Sequence, residues 1–212
     1  MAEVIWSFPA IRPRISPSQA SKPTPQREPP IHIETHGYVL RSLRPADATS
    51  DLLEIVNSKT LQSGLNIDLI DFDATSLAEF IGRFDDKHNY LVGIFKNGLI
   101  KGFYTVDVNL THRVGIITAG ISESASREDR VYWATIEAFI EHLFVYRALE
   151  KISARIFASN RAMLFNFMSA KLFQHEATLR KECISLDGTR QDVMVFSVLK
   201  GEFNPDGLDY SP

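Results

Sequence analysis

The chain has 212 residues, a formal net charge of −3 and 44% hydrophobic residues, which suits one globular domain with a tail. This composition excludes a wholly disordered chain, because there is enough apolar surface to offset the ordering entropy. No apolar run reaches the roughly 18 residues of a membrane-spanning helix, and the charge gives no general attraction to nucleic acid or anionic lipid.

The single cysteine, Cys183, allows neither an intrachain disulfide nor a cysteine-based zinc site. The six histidines show no metal-binding spacing, so we assign no metal. The first residues carry no secretory signal, and we therefore expect a cytoplasmic protein that binds neither nucleic acid nor membrane.

A leader precedes the folded part of the sequence. Seven of the ten prolines lie within the first 30 residues. Each proline fixes φ and removes a backbone donor, so neither helix nor sheet is expected to propagate there. We predict a disordered or extended leader over residues 1–35, one folded domain over 36–203 and a short tail over 204–212.

The first half of the domain reads as a strand, two helices and an antiparallel meander. The strand covers 38–43, one helix starts at Pro45, and a second covers 75–84 with Thr75 or Ser76 near its N-cap. Residues 58–73 show no clear pattern. Alternation of apolar residues and the turn at Lys96-Asn97-Gly98 predict strands over 89–95, 99–108 and 114–121.

The second half changes to helical periodicity. Apolar residues at helical spacing predict helices over 130–146 and 160–171, and alternation predicts strands over 151–158, 173–182 and 192–199. The resulting order, β-α-α-β-β-β-α-β-α-β-β, describes an α+β fold with a mixed sheet.

Four segments and one hairpin carry a family resemblance. They are RSLRPAD at 41–47, FVYRALEKI at 144–152, ARIFASN at 154–160, KLFQHEATLR at 171–180, and the hairpin with Asp187, Gly188 and Asp192. In order and spacing, residues 36–203 resemble the GNAT superfamily of acyl-CoA-dependent N-acyltransferases, closest to the RimJ/RimL-type ribosomal-protein N-terminal acetyltransferases. The resemblance implies a mixed, mostly antiparallel central sheet flanked by helices and splayed between the fourth and fifth predicted strands.

The resemblance also implies a cofactor site in that splay. Acyl-CoA would run along the fourth strand, with its pyrophosphate on the backbone N–H groups that open the following helix. The implied cofactor-binding residues are Ile121, Ser122, Arg127, Glu128, Asp129, Arg130, Val131 and Asn160. No metal is implied.

The pyrophosphate loop departs from the family pattern. Arg127 is retained, but Glu128 and Arg130 stand where glycines are expected. Arg127 and Arg130 can replace the glycine loop as direct phosphate ligands. The alternative is an ordinary helix start capped by Ser124 or Ser126 with nothing bound. Asn160 likewise has two interpretations, as a cap of the helix that follows it or as a ligand of the pantetheine arm.

Candidate catalytic residues are few. Glu123 and His112 are the candidate bases, and the backbone groups of Ile121 and Ser122 are expected near the acyl carbonyl. Phe167 stands where many family members have a tyrosine that protonates the leaving thiolate. A Lys-type amine costs roughly 4–5 kcal/mol to neutralise at pH 7, whereas an α-amine costs about 1, so an α-amine suits a site without a strong base better.

Two functions remain open at this point. The first is an N-acyltransferase that moves an acetyl group from acetyl-CoA to a primary amine, either a small molecule or a protein N-terminus. The second is a catalytically degenerate scaffold of the same fold that serves as a binding or assembly module. The resemblance also implies a homodimer.

Overall fold

The computed structural model describes residues 29–65, 71–125, 130–169, 172–185 and 187–204. These residues form one eight-stranded sheet in the order β1-β2-β3-β4-β5-β6-β8-β7. The strands are β1 (His32–Thr35), β2 (Tyr38–Ser42), β3 (Asn89–Lys96), β4 (Leu99–Asn109), β5 (Val114–Ile121), β6 (Lys151–Phe157), β7 (Gln174–Ile184) and β8 (Arg190–Leu199). The helices are α1 (Ser50–Val56), α2 (Lys59–Leu65), α3 (Ala74–Ile81), α4 (Val131–Tyr146) and α5 (Arg161–Ser169).

Two hydrophobic clusters hold the helices against opposite faces of the sheet. The larger cluster joins α4 to one face and includes Tyr104, which stacks on Phe139 with 4.8 Å between ring centroids. The smaller cluster joins α1 and α3 to the other face through Leu52, Leu77 and Phe103. The sheet is therefore covered on both faces at its centre, which confirms the α+β class.

The sheet divides where β5 meets β6. All other neighbouring strands are antiparallel, and these two are parallel, paired only between residues 114–117 and 151–154. Both strands continue beyond that pairing, since β5 stays on β4 as far as Ile121 and β6 stays on β8 as far as Phe157. We call the space between residues 118–121 and 155–157 the strand gap. It confirms the predicted splay, because β5 and β6 are the fourth and fifth predicted strands.

The sheet starts earlier than the sequence indicated. Residues 32–35, which the prediction assigned to the leader, form β1 and pair with β2, and Ile31 before them is 1% exposed. The alternation of polar and apolar residues around His32 is too short to indicate a strand, because it directly follows the proline-rich segment. Residues 1–28 and 205–212 lie outside the described part of the chain, as do the leader and tail predicted there.

The first helical region also differs from its prediction. The segment at Pro45 is a short 3₁₀ turn, and α1 begins after it with Thr49 as its N-cap. Helix α2 occupies the stretch that showed no pattern. Helix α3 is capped by Asp73, whose carboxylate accepts a hydrogen bond from the Ser76 N–H at 2.7 Å. Ser76, which was predicted near the N-cap, completes the capping box by accepting a hydrogen bond from the Asp73 N–H at 3.0 Å.

Helices that could cross a bilayer are absent from the described residues, since none is both long and apolar enough.

Gly102 on β4 lies against the end of β5 with no space for a side chain. A Cβ at Gly102 would lie 2.4 Å from the Gly120 carbonyl oxygen and 3.1 Å from the Ile121 Cα, both backbone atoms that cannot move independently. We expect Gly102→Ala to lower the free energy of unfolding by about 1–3 kcal/mol in urea denaturation. Gly201→Ala is the matched control, because a Cβ there meets nothing within 4 Å. Equal stabilities of the two variants would contradict this packing.

Candidate functional site

The β5 side of the strand gap presents free backbone groups. The Ser122 N–H donates to the Lys101 carbonyl of β4 at 2.9 Å. Residues of an antiparallel pair alternate between facing their partner strand and facing away from it. Thr118 and Gly120 therefore bond to β4, and Ala119 and Ile121 direct their N–H and C=O groups into the strand gap, beyond the last residue paired with β6.

The β6 side follows the same rule. The Lys200 N–H donates to the Glu150 carbonyl and the Ala158 N–H to the Asp192 carbonyl, so even-numbered residues of β6 face β8. Arg155 and Phe157 then lie in the stretch of β6 that extends beyond its pairing with β5. Buried backbone groups require partners, and an extended ligand that carries amides can supply them to Ala119 and Ile121 from within the strand gap.

These contacts change one predicted role. Ser122 was expected to offer its backbone near an acyl carbonyl, but its N–H is already engaged by Lys101, and its hydroxyl shares a hydrogen bond with that of Ser124 at 2.8 Å. The backbone of Ile121 faces the strand gap, and its role toward a cofactor stays a prediction. Ala119 faces the strand gap in the same way. Sequence reasoning missed Ala119, because only the hydrogen-bonding register shows which residues of a strand face which neighbour.

Helix α4 begins beyond the end of β5. Its N-cap is Arg130, whose backbone is left-handed at φ 43° and ψ 40° and whose side chain makes no capping hydrogen bond. The helix starts at Val131, seven residues after Ser124, so the predicted cap by Ser124 was wrong, and Ser126 lies outside the described residues. The predicted ligands Arg127, Glu128 and Asp129 also lie outside them. Among the described residues, the N–H groups of the first turn have no side-chain partner, the usual setting for a bound anion.

A cavity of about 380 Å³ opens beside the end of β5, between that strand and α1 and α2. It brings the predicted residues Ile121, Ser122 and Glu123 together, and the carboxylate of Glu123 accepts a hydrogen bond from the Ser58 hydroxyl. The residues that line the cavity are Glu54, Ile55, Ser58, Lys59, Thr60, Ile121, Ser122, Glu123 and Ser124. Glu54 and Lys59 were not predicted, because no sequence pattern linked α1 and α2 to β5.

His112 does not belong to this site. It lies in the turn before Val114, at the opposite end of β5 from Ile121. The seven steps from Val114 to Ile121, at about 3.4 Å per residue, separate the two ends by roughly 24 Å. The prediction of His112 as a base beside the acyl group is therefore wrong, and the turn at 109–113 does not shape the cavity.

Asn160 links β6 to α2 as well as to α5. Its Oδ1 accepts a hydrogen bond from the Met163 N–H at 3.1 Å, which is the predicted helix-capping contact. Its Nδ2 donates to the Gly64 carbonyl of α2 at 3.3 Å. Since Ser58, just before α2, bonds to Glu123, side-chain hydrogen bonds tie both ends of the α2 segment to opposite sides of the strand gap.

Asp107 is a second carboxylate on the α1 face of the sheet. It alternates with Phe103 and Thr105 on β4 and pairs with Ile116 of β5. Burial raises the pKa of its carboxyl to about 6, and within the described residues no hydrogen bond or ion pair compensates its charge. In the sequence, Asp107 is recognisable as a carboxylate in an otherwise apolar strand. Asp107 lies close to the start of the strand gap.

Comparison with known proteins shows that solved structures share this fold. No family model and no curated protein matches the sequence. The spermidine N-acetyltransferase of Vibrio cholerae, solved with CoA and spermine, is similar with a TM-score of 0.69 at 18% identity, over 79% of this chain and 98% of that chain. The chain has the fold of the GNAT acetyltransferases.

Two further structures share this GNAT fold. RimL, a ribosomal L7/L12 α-N-protein acetyltransferase in complex with coenzyme A, has a TM-score of 0.68 at 12% identity, over 78% of this chain and 98% of its own. A GNAT-family acetyltransferase from Bacillus anthracis has a TM-score of 0.66 at 13% identity, over 81% and 100%. The branch suggested by the sequence segments is thus represented among the similar structures.

Asp107 gives a prediction for the dependence of stability on pH. Its folded pKa of about 6 lies above the ordinary value of 3.8, so the folded protein binds this proton more tightly than the unfolded chain does. The destabilisation by the ionised carboxylate therefore reaches its full value above pH 6. It is absent at pH values far below 3.8. We expect Asp107→Asn to be more stable than the wild type in urea denaturation at pH 7.5, with the advantage declining as the pH falls toward 4. An advantage that is the same at both pH values would contradict the assignment.

Proposed function

We propose that the protein transfers an acetyl group from acetyl-CoA to a primary amine. The observation that carries this proposal is the strand gap, in which Ala119 and Ile121 present backbone groups and which leads to the start of α4 at Val131, where the N-cap residue Arg130 makes no side-chain capping bond. An extended chain with amides followed by a diphosphate matches both features. Similar structures of this fold contain coenzyme A, which supports the proposal.

The residues of this chain suit such a cosubstrate. Ala119 and Ile121 would pair with the amides of its pantetheine arm, and the first N–H groups of α4 would bind the pyrophosphate. Arg130 at the N-cap and Arg127 just before it would add positive charge. Glu128 and Asp129 remain proposed neighbours of the phosphates, and Asn160 lies on the far side of the strand gap, close to the pantetheine arm. Bound acetyl-CoA supplies an activated thioester, so no metal is required.

The cavity beside β5 is the proposed entrance for the amine. Its lining includes the carboxylates Glu54 and Glu123, which attract an ammonium group, and Glu123 lies immediately past the residues that face the strand gap. We propose Glu123 as the base that takes the amine proton, directly or through water. The Ala119 N–H, which lies farther from α4 than Ile121 does, is the proposed donor to the acyl oxygen, and the Ala119 carbonyl and the Ile121 backbone remain for the pantetheine amides.

The proposed acceptor is a small-molecule amine or a protein N-terminus. The two similar enzymes act in these two ways, one on spermidine and the other on the α-amine of a ribosomal protein. Since neutralising an α-amine at pH 7 costs about 1 kcal/mol, an α-amine fits this modest base set best.

We also propose that the protein is a cytoplasmic homodimer. Phe165 and Met168, three residues apart on α5, expose 66% and 64% of their surface, and a second copy that covers this side of the helix would remove them from water. Light scattering across a concentration series measures the mass of the assembly.

The pyrophosphate assignment is tested with the double variant Arg127→Ala/Arg130→Ala. Because each guanidinium is expected to make a charge-assisted hydrogen bond, we expect acetyl-CoA affinity to fall by about tenfold or more in titration calorimetry. The control Arg83→Ala/Arg180→Ala removes the same charge from two exposed positions. Arg83 lies in the turn after α3, and Arg180 lies on β7. Undiminished affinity in the first variant removes the assignment. Absence of heat from wild type with millimolar acetyl-CoA eliminates the enzyme and leaves the scaffold alternative.

Glu123→Gln tests the base. The amide keeps the shape and can still accept from Ser58, but it cannot take a proton, so we expect the turnover number to fall by roughly 100-fold. The release of CoA is followed with a panel of spermidine and free peptide N-termini as acceptors. Acetyl-CoA affinity should be unchanged. Glu34→Gln on β1, whose side chain is 78% exposed, is the control, and wild-type turnover in Glu123→Gln would refute the role.

A further inference from the structure

The cavity beside the end of β5 is lined by charges of both signs. Glu54 of α1, Lys59 of α2 and Glu123 all line it, so two carboxylates and one ammonium group share the same space. The carboxylates suit the amine that the proposed function requires. The ammonium group of Lys59 does not, because a cation beside the incoming amine repels it and lowers the affinity for a purely cationic acceptor. Lys59 therefore indicates a second, negative group on the acceptor.

Two of these three charged groups have no partner in the described part of the chain. The side chains of Glu54 and Lys59 make no hydrogen bond or ion pair there, and they do not pair with each other. The carboxylate of Glu123, in contrast, accepts a hydrogen bond from the Ser58 hydroxyl. The cavity thus keeps one anionic and one cationic side chain available for the charges of a ligand.

The backbone that carries Lys59 is fixed in place. Ser58, the residue before it, donates its hydroxyl to Glu123 and accepts a hydrogen bond from the Leu61 N–H at 3.2 Å. The opposite end of α2 is held by its hydrogen bond from Asn160. The side chain of Lys59 therefore starts one residue away from the contact with the proposed base, and the cation and the base are held on the same side of the strand gap.

The size and the remaining lining of the cavity suit a small metabolite. Its volume of about 380 Å³ lies near the lower end of the range for ligand pockets, about 300–1,000 Å³. Ile55, which is 5% exposed, and Ile121 add apolar surface. An acceptor with an amine, a carboxylate and a small apolar part can use all of these groups at once. A polyamine has no group for Lys59, and the first residue of a protein has an amide in place of the carboxylate.

We propose that the acceptor is a free amino acid, with its ammonium group beside Glu54 and Glu123 and its carboxylate on the ammonium group of Lys59. This inference rests on the proposed function and narrows its acceptor. Glu123 takes one proton from the ammonium group before attack. The nitrogen then bonds to the acetyl carbon, the carbon–sulfur bond breaks with its electron pair on sulfur, and a second proton passes from the nitrogen to the thiolate. The amide of the product carries no positive charge, so the carboxylates no longer hold it.

Matched acceptors test the role of the carboxylate. Each standard amino acid is compared with its carboxamide, which keeps the amine and the side chain, and the release of CoA from acetyl-CoA is followed. We expect the best amino acid to exceed its carboxamide in kcat/KM by about tenfold or more, because the carboxamide loses a charge-assisted hydrogen bond. Spermidine and short peptides, including peptides with an acidic second residue, complete the panel, and we expect lower kcat/KM values for them.

Lys59→Met tests whether the ammonium group causes this preference. Methionine has a similar length without the charge, so we expect the ratio of kcat/KM for amino acid over carboxamide to fall about tenfold. The fall should come mainly from KM, since the carboxylate takes no part in the bond changes. Comparing ratios between variants cancels the different basicity of the two amines. Lys59→Arg should keep the preference. The control Lys200→Met removes an exposed lysine at the opposite end of the sheet and should match wild type.

The remaining outcomes separate this inference from the proposed function. If wild type binds no acetyl-CoA, the proposed function fails and this inference fails with it. If wild type acetylates spermidine or peptides but prefers no amino acid over its carboxamide, only the amino-acid acceptor is refuted. If Lys59→Met loses activity toward amino acid and carboxamide equally, the role of Lys59 is structural, and this result also overturns the inference.

Discussion

The divergence of two parallel strands is the constraint on which the site depends. β5 pairs with β6 only as far as residue 117 but remains paired with β4 as far as Ile121, where Gly102 lets the two backbones approach closely. β6 likewise remains paired with β8 as far as Phe157. The end of β5 therefore directs the backbone groups of Ala119 and Ile121 into the strand gap, and these main-chain atoms form the candidate site.

The helices then give the strand gap two chemically different sides. The side that faces α4 and α5 is packed with aromatic rings and excludes water, which favours hydrogen bonds to a charged group. The side that faces α1 and α2 opens through a cavity lined by Glu54, Glu123 and Lys59, so two carboxylates lie beside one ammonium group. In the proposed reaction, the thioester would lie in the strand gap and the amine would enter through this cavity.

The sequence predicted the layers better than the site. Strong alternation in β3, β4 and β5 and the broad apolar side of α4 predicted the meander and the helix, and the resemblance to the GNAT superfamily implied the splay. The residues that line the cavity were harder, since Glu54 and Ser58 reach Glu123 only through the tertiary placement of α2. His112 was misassigned because a turn looks alike in sequence at either end of a strand. The backbone direction of Ala119 depends on which residues of β5 are hydrogen-bonded to β4. Only the register of the two strands determines this.

The left-handed backbone of Arg130 has a consequence for how this loop diverged. A positive φ is the conformation that glycine adopts without strain, and a residue with a Cβ adopts it at a cost. Arg130 thus combines a backbone conformation typical of glycine with a long, permanently charged side chain. If the proposed pyrophosphate site lies here, the charge of the guanidinium would do what a glycine does by letting the backbone approach the phosphate closely.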